Sequence, residues 1–217
     1  MNTQSSPIPN RPRVAVISYS ALSRLIHSVT DDYRNLLEIK IINAVFNEGV
    51  KAAQELLDKG EIDIVMSAGA NGEYLRDALD VPVVLVEVSG YDLLAALQRA
   101  RRLDNRIAIV TYRKVSQELE DLKDLLNLEL TQLSYDTPDD ARVKFQQLKD
   151  GGYRVVVGAS LVTELAEQAG MTPVFLYSRH SIRRTFEDVL QIAEVKRKEK
   201  ARQQRLEILL ENVQAGV

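Results

Sequence analysis

The chain has 217 residues, 45% of them hydrophobic, a formal net charge of −3 and no cysteine. That length holds one large domain or two small ones with real cores, and the charge offers no polyanion-binding surface, which argues against a grip on nucleic acid by this portion. The absent thiols exclude disulfides, thiolate metal sites and cysteine nucleophiles, and no apolar run approaches the ~20 residues that span a bilayer, so a cytoplasmic setting is expected.

Residues 1–12 are rich in Ser, Pro and Asn and read as a disordered leader. Val14 to Ile17 is an apolar strand feeding Ser18, Tyr19 and Ser20, after which Leu22, Leu25, Ile26 and Val29 recur at helical spacing. Leu37 to Ile42 alternates as a second strand. Val45, Val50, Ala53 and Leu57 mark a helix closed by Lys59 and Gly60, a C-terminal signal.

The stretch from Ile62 to Asp92 organises the rest. Ile62, Ile64, Val65 and Met66 form a strand with both faces apolar, as in a parallel sheet covered by helices. Ser67 to Gly72 reads as a tight loop that leaves free N–H groups at the start of a helix from Glu73 to Ala78, donors that attract anions. Val83 to Val86 repeats the device and ends in Ser89, Gly90, Tyr91 and Asp92. A helix follows to about Arg102, with Leu93, Leu94, Leu97 and Ala100 on one side.

The pattern then begins again. IAIVTY, from Ile107, matches VAVISY, from Val14, at an offset of 93 residues, and Pro173 to Tyr177 aligns with Pro82 to Val86 at an offset of 91. Between them lie a helix from about Val115 to Leu126, a strand Leu128 to Leu133 and a helix from Pro138 to Lys149 stopped by Gly151 and Gly152. The strand Tyr153 to Gly158 and the helix Leu161 to Ala169 follow. Strands alternating with helices predict parallel sheets with right-handed crossovers. The expected fold is α/β, two tandem-duplicated Rossmann-like three-layer lobes, residues 13–104 and 105–193, with a cleft between them. One continuous eight-stranded doubly wound sheet is the competing architecture.

From Ser181 the last helix has a core-facing spacing at Ile182, Phe186, Val189 and Ala193. KRKEKARQQR, Lys196 to Arg205, has no large apolar residue, and Leu206, Leu209, Leu210 and Val213 then restore the pattern. Residues 194–217 therefore read as a solvated helical connector toward a downstream domain.

No enzyme constellation is complete. His27 and His180 lie in different lobes without metal-ligand spacing, and His180 reads as an exposed helix-start residue. Neither Gly69-Ala70-Asn71-Gly72 nor Gly158-Ala159-Ser160 completes a dinucleotide fingerprint, a P-loop or a nucleophile elbow. Asp63 lies inside a strand rather than at a phosphoacceptor position, and a two-lobed racemase would need paired cysteines. No catalytic residue, metal or cofactor is expected. What remains is a set of polar strand-end loops: Ser18, Tyr19 and Ser20; Gly69, Ala70, Asn71 and Gly72; Ser89, Gly90 and Tyr91; Thr111, Tyr112 and Arg113; Gly158 and Ser160; Ser178 and Arg179. If the lobes face each other these line one ligand-binding cleft, as strand carboxyl ends do in open α/β sheets. Arg113 and Arg179 would then hold a small carboxylate by charge-assisted hydrogen bonds. Gly and Ser also suit tight strand-to-helix turns with no ligand at all, and a small-molecule enzyme of lyase or isomerase type at the same cleft is the alternative function.

SAGANGEYLRDALDVPVVLVEVSGYDLLAAL, IAIVTY and VVVGASLVTELAEQAGMTPVFLYS resemble the N-terminal sensory domain of the propionate catabolism regulators, a branch of the sigma-54-dependent bacterial transcription activators, over about Arg13 to Phe186. The resemblance implies chelatase-like or periplasmic-binding-protein-like lobes that sense an effector, 2-methylcitrate in the propionate branch. It also implies a restrained ATPase domain downstream and a helix-turn-helix domain beyond it. Arg205 to Val217 resembles the opening helix of a PAS domain. The mechanism expected is a ligand that favours the closed lobes, with the Ser181 to Val213 helix, rooted in the second lobe, as a lever. Dimerisation through a lobe surface stays open.

Overall fold

The computed structural model describes residues 11–113, 115, 119 and 129–215. Its first half runs β1 (Arg13–Ser18), α1 (Ser20–Thr30), β2 (Glu38–Asn43), α2 (Phe46–Asp58), β3 (Ile64–Ala68), α3 (Gly69–Ala78), β4 (Val83–Val86) and α4 (Gly90–Arg101). The second runs β5 (Arg106–Tyr112), β6 (Glu129–Tyr135), α5 (Pro138–Asp150), β7 (Val155–Gly158), α6 (Ser160–Gln168), β8 (Thr172–Phe175) and α7 (Arg179–Ala215). The helix expected from Val115 to Leu126 lies outside the described residues apart from two positions.

The strands form two separate four-stranded parallel sheets, ordered β2-β1-β3-β4 and β6-β5-β7-β8, so the single eight-stranded sheet is ruled out. Equivalent central strands hold equivalent registers: Val14 pairs with Ile39 and Ile64, and Ile107 pairs with Leu130 and Val155. Two halves with one topology are what the sequence repeat predicts. Among the described residues no helix is long and apolar enough to cross a membrane.

Alternation along each buried strand sorts side chains to two faces. In the first lobe Ala15, Ile17 and Val65 pack with Ala53 of α2 and Leu75 of α3. Val14, Val16, Ile64, Met66, Val84 and Val86 cover the other face with Leu22, Ile26 and Val29 of α1. The second helix on that face is α7, through Ile182, Phe186 and Val189. The mirror arrangement holds in the second lobe, where Ile107, Ile109, Val155 and Val157 are covered by Leu93, Ala96, Leu97 and Ala100 of α4. Each lobe's last helix thus lies on the other lobe's sheet. Burying such side chains stabilises by roughly 1.5–3 kcal/mol apiece, so the exchange is a large part of what holds the lobes together. The helix expected to act as a lever is accordingly rooted on the first lobe and not, as the sequence suggests, on the second. Amphipathic spacing sets which face of a helix is buried but not which sheet receives it.

Element boundaries also differ from expectation, two of them beside the strand tips. Gly69 takes φ +54° and completes the turn in one residue, so Ala70, Asn71 and Gly72 belong to the first turn of α3 rather than to a loop. α7 begins at Arg179, two residues before the expected Ser181. The Gly stops are as read: Gly60, at φ +63°, follows α2, and Gly152, at φ +76°, follows α5.

Candidate functional site

The strand tips of both lobes meet. Ser18 and Tyr19 at the end of β1, Ala68 and Gly69 at the end of β3, Tyr135 at the end of β6, Ala159 and Ser160 after β7, and Tyr177 after β8 surround one small space with Leu22, Phe46, Ala70, Asn71 and Leu161. Its volume is about 30 Å³, enough for roughly two waters. Contact across the gap is direct. The Ser160 hydroxyl donates to the Tyr19 carbonyl oxygen at 3.2 Å and accepts from the Leu22 N–H at 3.3 Å. A Cβ on Gly69 would lie 3.6 Å from the Tyr177 hydroxyl and 3.8 Å from the Ala159 Cβ, ordinary contact distances, so it is the φ of +54° rather than the gap that calls for glycine here.

Three helices point their N-termini here, and none has a capping hydrogen bond from its own N-cap side chain: α1 after Tyr19, α3 after Ala68 and α6 after Ala159; at α1 the Leu22 N–H is met from across the gap by Ser160 Oγ. Helices that start elsewhere satisfy theirs. α4 has a full capping box between Ser89 and Asp92, and Thr137 accepts from the Asp140 N–H at α5. At α7 the His180 N–H donates to Ser178 Oγ at 3.2 Å. The first N–H of α2, at Phe46, is taken by Asn71 Oδ1 at 2.7 Å, while Asn71 Nδ2 donates to the Ala44 carbonyl at 3.3 Å. Asn71 therefore spends its amide on bracing the turn before α2. Orphan N–H groups and aligned dipoles give the three uncapped termini a positive potential without any cationic side chain. Ser18, 1% exposed, adds a hydroxyl with no hydrogen-bond partner among the described residues, which is costly unless something polar meets it. Backbone strain gathers at the same tips: Ser20 sits at φ 53° and Phe46 at φ 46°, a region that non-glycine residues rarely enter.

The three phenols stay protonated. Burial raises the Tyr19 hydroxyl well above its ordinary range, with the Glu164 and Tyr135 charges adding to it. Burial, helped by Tyr112, pushes Tyr135 up to about 12. Tyr177 is raised in the same way by burial, then by Tyr135 and Asp92. They can donate or accept hydrogen bonds but cannot act as bases near neutrality. No group of three or more His, Cys, Asp or Glu able to hold a metal occurs among the described residues.

Of the residues expected at the site, Ser18, Tyr19, Gly69, Ala70, Asn71 and Ser160 line the space. Ser20 starts α1 beside it. Gly72 is packed against Leu85, where a Cβ would lie only 2.6 Å from a Leu85 methyl, and Gly158 against Val162, at 2.3 Å, so both are small for packing reasons. Tyr112 stands behind Tyr135, ring centroids 5.5 Å apart, and the exposed Arg113 lies over the Tyr112 ring rather than in the space. Thr111 precedes them on β5. Ser89, Gly90 and Tyr91 start α4 at the crossover between lobes, and Ser178 and Arg179 start α7 at the other; neither group lines the space. Leu22, Phe46, Tyr135, Leu161 and Tyr177 were not anticipated. The aromatic residue at the end of β6 was the readable signal, since strand ends had already been singled out.

The fold is similar to that of an NtrC family transcriptional regulator from Clostridium acetobutylicum, with a TM-score of 0.74 and 22% identity over 86% of this chain and 99% of that one. Weaker likenesses include the transcription regulator CcpA of Lactococcus lactis (TM-score 0.42, 17% identity, 74% of this chain and 72% of that one) and glutamate racemase from Aquifex pyrophilus (0.38, 12%, 82% and 83%). Residues 33–199 match the family model described as propionate catabolism activator, so this chain belongs to that family, which marks it as a regulatory domain of a transcription activator.

Proposed function

We propose that the domain senses a small organic carboxylate between its lobes, a 2-methylcitrate-like di- or tricarboxylate, and passes the resulting lobe movement through α7 to a downstream ATPase domain of a sigma-54-dependent activator. One observation carries this reading: the N-termini of α1, α3 and α6, none capped by its own N-cap side chain, converge on a space that also holds the buried Ser18 hydroxyl, unpartnered among the described residues. Each terminus is a ready anion site, and three suit a ligand with more than one carboxylate. The neutral Tyr19, Tyr135 and Tyr177 hydroxyls complete a donor set that binds without reacting. Arg113 and Arg179 take no part in it, which changes the expected source of positive potential from side chains to backbone.

The size of the space bears on the lobe arrangement that the effector needs. About 30 Å³ does not admit a tricarboxylate, so the bound form holds the strand tips further apart than they are here. Shifting a two-state equilibrium from 1:99 to 99:1 needs roughly 10⁴-fold preference for the favoured state, which three helix termini and four hydroxyls can supply only if the ligand meets most of them.

Calorimetry with a panel of short-chain mono-, di- and tricarboxylic acids, with recovery of the bound compound, tests the reading. Saturable binding of an unchanged di- or tricarboxylate at one site per chain supports it. Conversion of the compound would replace it with the lyase or isomerase alternative.

A further inference from the structure

A second recess lies on the other side of Tyr177, along the outer edge of β8. It is an open groove of about 510 Å³, within the size range of small-molecule sites. Leu25 of α1 and Leu103 after α4 wall it, and Pro173 and Phe175 form its floor. Leu103 is 53% exposed. Arg99 and Arg179 stand at its rim.

Both guanidiniums are spent on neutral partners. Arg99 Nη2 donates to the Phe175 carbonyl at 2.8 Å, and Arg179 Nη2 donates to the Ser28 carbonyl. Neither forms a salt bridge with a carboxylate among the described residues. A hydrogen bond from a guanidinium to a carboxylate is roughly twice as strong as one between neutral groups, and it can be bidentate. Two cations beside an apolar floor are therefore complementary to a molecule with an apolar body and one anionic head.

The edge itself discourages a peptide strand. Thr172 and Leu176 send their N–H groups inward to the Arg154 and Gly158 carbonyls, so the intervening residues Pro173 and Phe175 face outward. Pro173 has no N–H to offer and Arg99 already covers the Phe175 carbonyl, the usual ways of blocking strand addition. The occupant is then a small molecule.

We infer that this groove is a second ligand site, for an amphipathic monocarboxylate whose head bridges Arg99 and Arg179 and whose aliphatic or aryl body lies on Pro173 and Phe175. Tyr177 borders both this groove and the space between the strand tips, so occupancy here bears on the lobe contact at Gly69.

Octanoate is the probe, titrated calorimetrically into the whole chain beside 1-octanol and inorganic phosphate. The expected result is one saturable octanoate site, binding of octanol at least tenfold weaker, and none of phosphate. Arg179→Gln and Arg99→Gln each weaken octanoate about tenfold, Leu103→Asp abolishes its binding, and Ser18→Ala leaves it unchanged. Arg179 is exposed at a helix start, so its variant folds even if Arg99→Gln frees the strand edge and aggregates. Equal affinity for octanol, binding of phosphate alone, or unchanged octanoate affinity in Arg179→Gln would overturn the assignment. Loss of octanoate binding in Ser18→Ala would move the ligand to the space between the lobes and overturn it as well.

Discussion

Helices α4 and α7 each leave the edge strand of one lobe and lie on the sheet of the other, yet α4 stops at Arg101 while α7 runs on to Ala215. Over its buried part α7 resembles α4: Ile182, Phe186 and Val189 do for the first lobe what Leu93, Leu97 and Ala100 do for the second. Past Ala193 the resemblance ends, because residues 194–208 are all exposed. An isolated helix of that length is marginal in water, so the exposed part persists as an extension of a firmly rooted helix. A rigid rod fixed at one end moves wherever its root moves. The pair thus shares one geometry, a brace in α4 and a brace with a long exposed extension in α7.

The largest expected effect is at the roots. Phe186 is fully buried and stacks on Tyr33 with ring centroids 4.8 Å apart. Phe186→Ala should cost about 3–5 kcal/mol and Leu97→Ala about 2–5 kcal/mol in urea unfolding. If the exchange couples the lobes, each variant unfolds the whole chain in one transition; two separate transitions would break the symmetry drawn between the helices. Next is Lys198→Pro, which removes a helix hydrogen bond at about 3 kcal/mol locally. Because Lys198 is exposed and beyond the core, global stability and carboxylate binding should hold while effector-dependent output in a fusion to a reporter domain disappears. Retained output would show that α7 is not the lever.

Ser18→Ala should weaken the carboxylate about tenfold, about 1.4 kcal/mol. It should leave stability unchanged or slightly raised, since the buried hydroxyl has no partner to lose. A matching loss of stability would assign Ser18 a structural role. At the start of α4, Ser89→Ala removes the capping box and should cost about 1 kcal/mol. Burial alone would raise the Asp92 carboxyl, but the neighbouring Ser178 and Ser181 hydroxyls and the Ser89 hydroxyl and N–H, which both donate to Asp92 Oδ2, outweigh it and hold the group below the ordinary carboxylate range. Its stabilisation is therefore present at neutral pH and lost as acid takes the solution below that range. Asp92→Asn should flatten the acid side of a Tm-against-pH curve, and an unchanged curve would remove Asp92 from the groups that set acid stability.

Much of this was legible. Strands apolar on both faces, the repeat of VAVISY in IAIVTY and the Gly60 and Gly152 stops are local patterns, and local sterics enforce them. The Ser89 to Asp92 spacing is a capping box that the sequence displays, and it spends the Ser89 hydroxyl on the helix start rather than on a ligand. What could not be read is where α4 and α7 go. That depends on which sheet face is left uncovered, a tertiary fact, and it decides that Ser178 and Arg179 face a groove while Tyr177 faces the strand tips. Tyr135 escaped because β6 runs two residues past the last strand residue expected, Leu133.

The swapped helices also govern how the molecule can be dissected. A fragment ending at residue 104 would keep α4, an amphipathic segment with no sheet to rest on, and would leave the Val14, Val16, Ile64 and Met66 face bare where α7 belongs. The complementary fragment would have the converse defect. Sequence halves are therefore not autonomous modules here; co-expressed halves should reassemble by trading helices, and either one alone should aggregate through its uncovered sheet.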